Sequence, residues 1–282
     1  MTTKILKVGL IGFGLSGKTF HYPLVTTHVG FKLSMVYSSK RETAEELQES
    51  NPDCIITQDI DDVFNSEVDI VVITSPNKLH YEHAVRALEA GKHIVVEKPF
   101  TLDSEQAIQL LELSEKKNLI CSVFHNRRWD GDFKTVEKII HNQSLGNLRE
   151  YEAHFDRFRN YQKPGAWKEK KAEPGAGILY DLGPHLIDQA LYLFGMPQSI
   201  YADIRTQRIG LEVDDNFELL LYYPNLKVTL KAGMLVKEVL PKFILLGDQG
   251  SFVKYGMDIQ ESQSKSGLLP NDKIWGIEDP SY

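Results

Sequence analysis

Lys7-Val8-Gly9-Leu10-Ile11-Gly12-Phe13-Gly14-Leu15-Ser16-Gly17 is the stretch on which the fold turns. Its first five residues are a short apolar run, the pattern of a buried parallel strand. Three glycines follow in the spacing Gly-x-Gly-x-x-Gly. The first makes a tight turn, the second lets backbone approach a pyrophosphate, and the third lets helix and strand pack closely. The helix that follows then points its N-terminal N–H groups at the phosphates. Such a glycine pattern acquires meaning only from a strand before it and a helix after it.

The residues downstream supply that context. Phe31–Tyr37, Val68–Ile73, His93–Glu97 and Leu119–Phe124 read as further buried strands. Glu42–Glu49, Tyr81–Ala90 (stopped by Gly91) and Ser104–Lys117 read as helices between them. This alternation predicts a parallel sheet with right-handed crossovers.

The rhythm changes after about residue 125. Arg149–Arg157 alternates, with Tyr151, Ala153 and Phe155 on one face and Glu152, His154 and Asp156 on the other. Ser199–Arg208, Phe217–Tyr223, Leu226–Val236, Lys242–Leu246 and Ser251–Lys254 read similarly, and a helix is expected near Ile178–Phe194. The fold class is therefore an α/β Rossmann parallel sheet plus an α+β domain with a large, mostly antiparallel open sheet. The expected domains are residues 1–124, for the dinucleotide, and 125–282, for substrate and oligomerisation.

The bulk properties set limits on function. The chain has 282 residues with 39 acidic and 32 basic side chains, a net charge of -7, which argues against nucleic acid as a partner. No apolar run reaches membrane-spanning length, and the N-terminus lacks the apolar core of a signal peptide. Cys54 and Cys121 have neither metal nor redox spacing. A cytoplasmic protein without a structural metal is expected.

The candidate dinucleotide contacts begin with Gly12, Phe13, Gly14, Leu15 and Gly17. At the end of the second strand, NAD enzymes usually carry an acid that holds the ribose hydroxyls. Here the residues are Ser38, Ser39, Lys40 and Arg41, and the first acid is Glu42. Hydroxyls and cations suit a 2′-phosphate, which favours NADP and leaves NAD as the alternative.

Two constellations carry candidate chemistry. Glu97-Lys98-Pro99 puts Lys98 just past a strand's C-terminal end, the edge where ligands of open α/β sheets bind. There it would donate to a substrate hydroxyl or carbonyl, although lysines at strand ends are also commonly just solvated. Ser75, Asn77 and His80 lie at the end of another strand, on the same edge. Farther on, Asp181 and His185 are four apart, so a helix would put them on one face, which Asp188 and Gln189 extend. Oxidation of a secondary alcohol needs a base for the hydroxyl proton, and His is suited to that near neutral pH. A capping Asp and a structural His remain the alternative.

Taken in order, Gly12-x-Gly14-x-x-Gly17, Ser75-Pro76-Asn77 with His80, Glu97-Lys98-Pro99 and Asp181-x-Gly183-x-His185-x-x-Asp188 resemble the signature series of the Gfo/Idh/MocA oxidoreductases. The resemblance implies a catalytic set of Lys98, Asp181 and His185, with His185 accepting the proton, and oligomerisation (dimer or tetramer) through the second-domain sheet. Phe124–Asp130, His154–Phe158 and Tyr180–His185 are similar to a subgroup that includes NADP-dependent scyllo-inositol dehydrogenases. That likeness implies a polyol or sugar substrate, with Arg128 and Trp129 beside it, and cofactor contacts at Glu97 and Trp167. Arg127, Arg128 and Trp129 would equally serve to cement the domain boundary.

Two departures stand against this series. The usual glycine triplet appears as Gly175-Ala176-Gly177, and relatives continue past the point where this chain ends, so it is expected to be truncated relative to the family. Sugar-nucleotide 3-dehydrogenase and dihydrodiol dehydrogenase activities are rivals within the enzyme class. From outside it, the rival is a catalytically silent nicotinamide-binding regulatory protein.

Overall fold

The computed structural model describes residues 4–40, 47–163, 165, 169–170 and 173–279. By their contacts these form two units. One is Met1–Phe124 with Ile259–Ile277, and the other is His125–Asp258 with Glu278–Tyr282. The sequence reading runs the second domain to residue 282, whereas Ile259–Ile277 packs with the first unit.

In the first unit, β1 (Leu6–Ile11) leads through the glycine turn into a helix that ends as α1 (Tyr22–Thr27). Then come β2 (Phe31–Tyr37), β3 (Ile55–Thr57), α2 (Ile60–Asn65), β4 (Ile70–Ile73), α3 (His80–Glu89), β5 (His93–Glu97), α4 (Ser104–Lys116) and β6 (Cys121–Phe124). The strands form one parallel sheet in the order β3-β2-β1-β4-β5-β6. Both faces are buried. Ile11, Val71 and Ile73 pack into one core, and Val8, Leu10 and Val72 into another. That is why these strands read as continuous apolar runs. β3 is an addition to the sequence reading, and β4 starts at Ile70 rather than Val68. Asp59 and Asp103 cap α2 and α4 by accepting the backbone N–H groups of Asp61 and Gln106.

The second unit contains α5 (Gly131–His141), β7 (Leu148–His154), α6 (Ile178–Phe194), β8 (Ser199–Arg205), β9 (Asn216–Tyr222), β10 (Lys227–Gly233), β11 (Phe243–Gly247) and β12 (Ser251–Lys254). Its sheet order is β12-β11-β7-β10-β9-β8, with only β7 and β10 parallel. Tyr151, Ala153 and Phe155 lie on the buried side as their alternation predicts, against Phe133 and Val136 of α5 and Leu182, Leu186 and Ala190 of α6. The opposite face carries cross-strand ion pairs, Glu150 with Lys227 at 2.9 Å and Glu218 with Lys231 at 3.8 Å. α7 (Gln260–Lys265) then returns to the first unit, where it packs on the turn after the glycine loop.

A buried charge cluster sits at the start of α5. Lys242 Nζ lies 2.6 Å from Asp132 and 3.5 Å from Asp130, Arg127 lies 3.4 Å from Asp130, and Asp258 accepts the Gly131 N–H at 2.7 Å. Burial, reinforced by the charges of Asp132 and Asp258, outweighs the two cations and pushes the Asp130 carboxyl up to about 7. The folded protein therefore holds this proton more tightly than the unfolded chain. The contribution is complete below about pH 4, the range of an unperturbed Asp, and is lost as the pH rises through about 7. Asp130→Asn is expected to flatten that slope, recovering roughly 2–4 kcal/mol at about pH 8 relative to wild type. Urea unfolding of both proteins across this range measures it, and parallel pH profiles would contradict it.

Candidate active site

The glycine turn has the shape a dinucleotide needs. Gly12 has φ +96, and a Cβ there would lie 2.8 Å from Thr74 Oγ1 and 3.0 Å from the Thr74 carbonyl oxygen. A Cβ on Gly17 would meet the Gly12 carbonyl oxygen at 2.5 Å. Gly14 is different: a Cβ there would meet nothing within 4 Å, so its backbone is open to an approaching group. Two glycines are thus required by close packing and the third leaves backbone accessible, as the pyrophosphate reading demands. Leu15 is exposed beside it. The Phe13 side chain is buried in the core, edge-on to Tyr22 at 5.7 Å, so only its backbone faces the turn.

The helix after this turn contains a π-helical segment, Gly17–His21. Pro23 has no N–H to offer the carbonyl four residues back, and just ahead of it Tyr22 bonds the Gly17 carbonyl, five residues back. The wide turn carries His21 into the interior, where its Nε2 lies 2.9 Å from Glu97 Oε1 and its ring is 4.1 Å from that of Phe124. Ser16 donates to the same Glu97 oxygen. Burial would raise the Glu97 carboxyl. The hydrogen bonds from His21 and Ser16 and the charges of His21 and Lys98 outweigh that, and its pKa falls below the ordinary value. Glu97, expected to contact cofactor, is thus buried and engaged with the glycine-loop helix. His21 was not singled out from sequence, because its partner lies 76 positions away.

The other residues on this edge also have assigned partners. Ser38 is buried, and its hydroxyl closes a turn with Lys40, donating to the Lys40 carbonyl at 3.1 Å and accepting the Lys40 N–H at 3.2 Å. Ser39 and Lys40 are exposed. His80 is buried, with Nδ1 2.8 Å from the Pro99 carbonyl and Nε2 2.9 Å from the Ser75 carbonyl. Burial pushes its pKa down, against the pull of those carbonyls. Its ring thus lies between the Ser75 and Pro99 carbonyls, the latter next to Lys98 in the chain. Ser75 Oγ meets His83 Nδ1 at 3.0 Å. Asn77 opens a short 3-10 turn, and Lys98 is half-buried. Arg41 and Trp167 lie outside the described residues.

In the second unit, α6 carries Asp181 and His185. Its first turn is capped from a distance: the Asp214 carbonyl accepts the Ile178 N–H at 2.9 Å, and the Asp214 carboxylate accepts the Leu179 N–H at 2.7 Å. Gly177 makes this possible with φ +97, since a Cβ there would lie 2.0 Å from Asp214 Oδ1. The helix begins at Ile178, as expected, so Pro184 lies inside it. The residue before a proline normally suffers a clash at its Cβ in helical conformation, and Gly183 has none. Close packing of Gly183 on Leu179 adds a second reason, since a Cβ would come within 2.9 Å of it.

His185 is buried and stacks on Phe155 at 6.1 Å between centroids. The guanidinium groups of Arg127 and Arg157 lie over the same Phe155 ring at 5.6 and 5.3 Å. Asp181, one turn earlier on α6, is half-buried. One turn later, Asp188 holds Arg128 in a bidentate pair at 2.7 and 2.6 Å, with His125 at 3.5 Å, and Gln189 donates to the Arg127 carbonyl at 2.9 Å. Arg128 thus clamps the 125–129 segment to α6. Trp129 is exposed, with Lys134 over its ring at 4.7 Å. Among the described residues, no group of acidic, His or Cys side chains could hold a metal, and no helix is long and apolar enough to cross a membrane.

Comparison with known proteins agrees with this geometry. Residues 6–125 match a family described as oxidoreductase family, NAD-binding Rossmann fold, and residues 133–253 match the GFO/IDH/MocA C-terminal domain. The chain is 38% identical to scyllo-inositol 2-dehydrogenase (NADP(+)) of Bacillus subtilis over 98% of its own length and 76% of the relative's. It is 29% identical to D-glucoside 3-dehydrogenase of Escherichia coli over 70% of its length and 56% of that protein's. A solved oxidoreductase structure from Bacillus subtilis superposes with a TM-score of 0.94 at 37% identity, covering 100% of this chain and 79% of that one. An oxidoreductase structure from Yersinia pestis gives 0.91 at 41% identity, covering 99% and 77%. The chain belongs to the Gfo/Idh/MocA oxidoreductase family, with the NAD-binding Rossmann domain first and the GFO/IDH/MocA C-terminal domain after it.

Proposed function

We propose that the protein is an NADP-dependent dehydrogenase acting on a secondary alcohol of a polyol or sugar, of the scyllo-inositol class. The observation that carries this reading is His185. It is a buried imidazole packed beside the Phe155 ring, 6.1 Å between centroids and 29° between planes, one helical turn from the carboxylate of Asp181. An imidazole so fixed is suited to take the hydroxyl proton of an alcohol near neutral pH. Asp181 orients the substrate hydroxyls, and Lys98 donates to the reacting oxygen. The nicotinamide, when bound, accepts the hydride from the carbon that carries that oxygen. The name of the Bacillus subtilis relative supports both the substrate class and the cofactor.

The choice of NADP rests on the end of β2. Ser39 and Lys40 are exposed there, and in the sequence the first acid after β2 is Glu42. Lys40→Glu is expected to lower the ratio of NADP to NAD efficiency roughly 10–100-fold, the worth of one charge-assisted contact. An unchanged ratio would remove Lys40 from the phosphate site. The reading as a whole is tested by nicotinamide absorbance with a panel of inositols and sugars, NADP and NAD side by side. Reduction of NADP by one polyol class is the expected result. Cofactor binding with no turnover of any of them would sink the proposal.

A further inference from the structure

The backbone at Lys98 is held on both sides, by the side chain of the preceding Glu97 and by that of His80. The Lys98 N–H donates to Glu97 Oε2 at 3.1 Å. The carbonyl of the next residue, Pro99, meets His80 Nδ1 at 2.8 Å. The other Glu97 oxygen, Oε1, takes hydrogen bonds from Ser16 and from His21 Nε2. One carboxylate therefore joins the glycine loop, through Ser16, to the peptide that sets the direction of the Lys98 side chain. Glu97 and His21 are both buried, at 8% and 3% exposure, so this joint is shielded from competing water. Ser16 sits between Gly14 and Gly17, within the turn that closes around a dinucleotide.

We propose that Glu97, clasped by Ser16 and His21, is a positioning residue that couples occupancy of the dinucleotide loop to the placement of Lys98. The inference rests on the dinucleotide reading of that loop. A loop ordered by its ligand presents the Ser16 hydroxyl and the His21 ring in one fixed geometry, and the carboxylate between them then holds the Lys98 peptide. By linkage, a group that orders Lys98 also favours dinucleotide binding. A different role for Glu97 makes the opposite prediction. If it were merely a negative charge near the phosphates, its removal would tighten binding of an anionic dinucleotide.

The test uses the full chain with NADPH as the probe and fluorescence titration as the readout. Glu97→Ala is expected to weaken NADPH binding about 5–10-fold, within the usual span of coupling between sites. Glu97→Gln keeps one acceptor oxygen, for Ser16 and His21, but turns an amide N–H towards the Lys98 N–H, so it is expected to weaken binding by about 2–5-fold, less than Glu97→Ala. Ser16→Ala, at a half-buried position where the helix after the turn begins, is expected to weaken binding about threefold by removing one arm. The Lys98 end is read by the acylation rate of its amine, resolved by mass spectrometry. In wild type, saturating NADPH is expected to change that rate about fivefold or more, and in Glu97→Ala, also saturated, the change should vanish. Unchanged or tighter NADPH binding by Glu97→Ala and Ser16→Ala would overturn the clasp. So would a Lys98 response that persists without Glu97, because the ligand would then act on Lys98 directly. A wild-type chain that binds neither NADPH nor NADH overturns the loop reading itself, which the variants' behaviour alone cannot do.

Discussion

Lys98→Met is expected to abolish turnover, lowering kcat by about 10²–10⁴-fold, the range of a positioned proton donor, while NADPH affinity stays within about twofold. The split follows from where each group lies. The glycine loop that would hold the pyrophosphate contributes backbone, and its shape is set by Gly12 and Gly17 against Thr74 and the Gly12 carbonyl. Methionine fills much the same volume as lysine, so the half-buried stem keeps its packing. What disappears is the ammonium group. The corner that carries it remains fixed by Glu97 and His80, which act on the backbone on either side. Stopped-flow absorbance for turnover and fluorescence titration for binding separate the two effects. Wild-type kcat in the variant would remove Lys98 from the chemistry, and a collapse of NADPH binding would make it a cofactor ligand instead.

Gly177→Ala is expected to lose about 2–4 kcal/mol of stability, from left-handed backbone strain and displacement of a helix cap. A midpoint about 5–12 °C lower would accompany it for a chain of this size. Gly177 sits at φ +97, a region L side chains rarely adopt. A methyl group there would also lie 2.0 Å from Asp214 Oδ1, whose carboxylate caps the first turn of α6. The added atom therefore either pushes Asp214 off the Leu179 N–H or tilts the start of the helix. Because Asp181 and His185 are on the first three turns of α6, activity should fall further than the stability loss alone explains. Thermal unfolding together with kcat at a temperature well below both midpoints measures the two parts. A variant with wild-type midpoint would show that the cap is dispensable. Gly165→Ala is the control, since it too has positive φ but a Cβ there would meet nothing within 4 Å.

Much of this architecture is legible in the sequence because it rests on local periodicity. β1 and its glycine turn, the alternation that puts Tyr151, Ala153 and Phe155 inside, and the helix from Ile178 to Phe194 each write their burial into consecutive residues. β3 escapes such reading, since three residues at a sheet edge are too few to show a period. Residues in the site divide the same way. Lys98 and His185 stand in recognisable local patterns, whereas His21 becomes functional only through a π turn ahead of Pro23 and a partner on another strand. Ser75 and His80, candidate cofactor contacts, are also bonded across the fold, to His83 and to the Pro99 carbonyl. Such pairings depend on tertiary contacts that no local pattern records.

The most direct measurement is isotope transfer: incubation of the protein with NADP and scyllo-inositol deuterated at its ring carbons, followed by mass spectrometry of the dinucleotide. Deuterium in the reduced nicotinamide, present in wild type and absent with His185→Gln, is the predicted result. NADP bound by the wild-type protein with no label transferred from this or any related polyol would contradict a dehydrogenase acting on that substrate class.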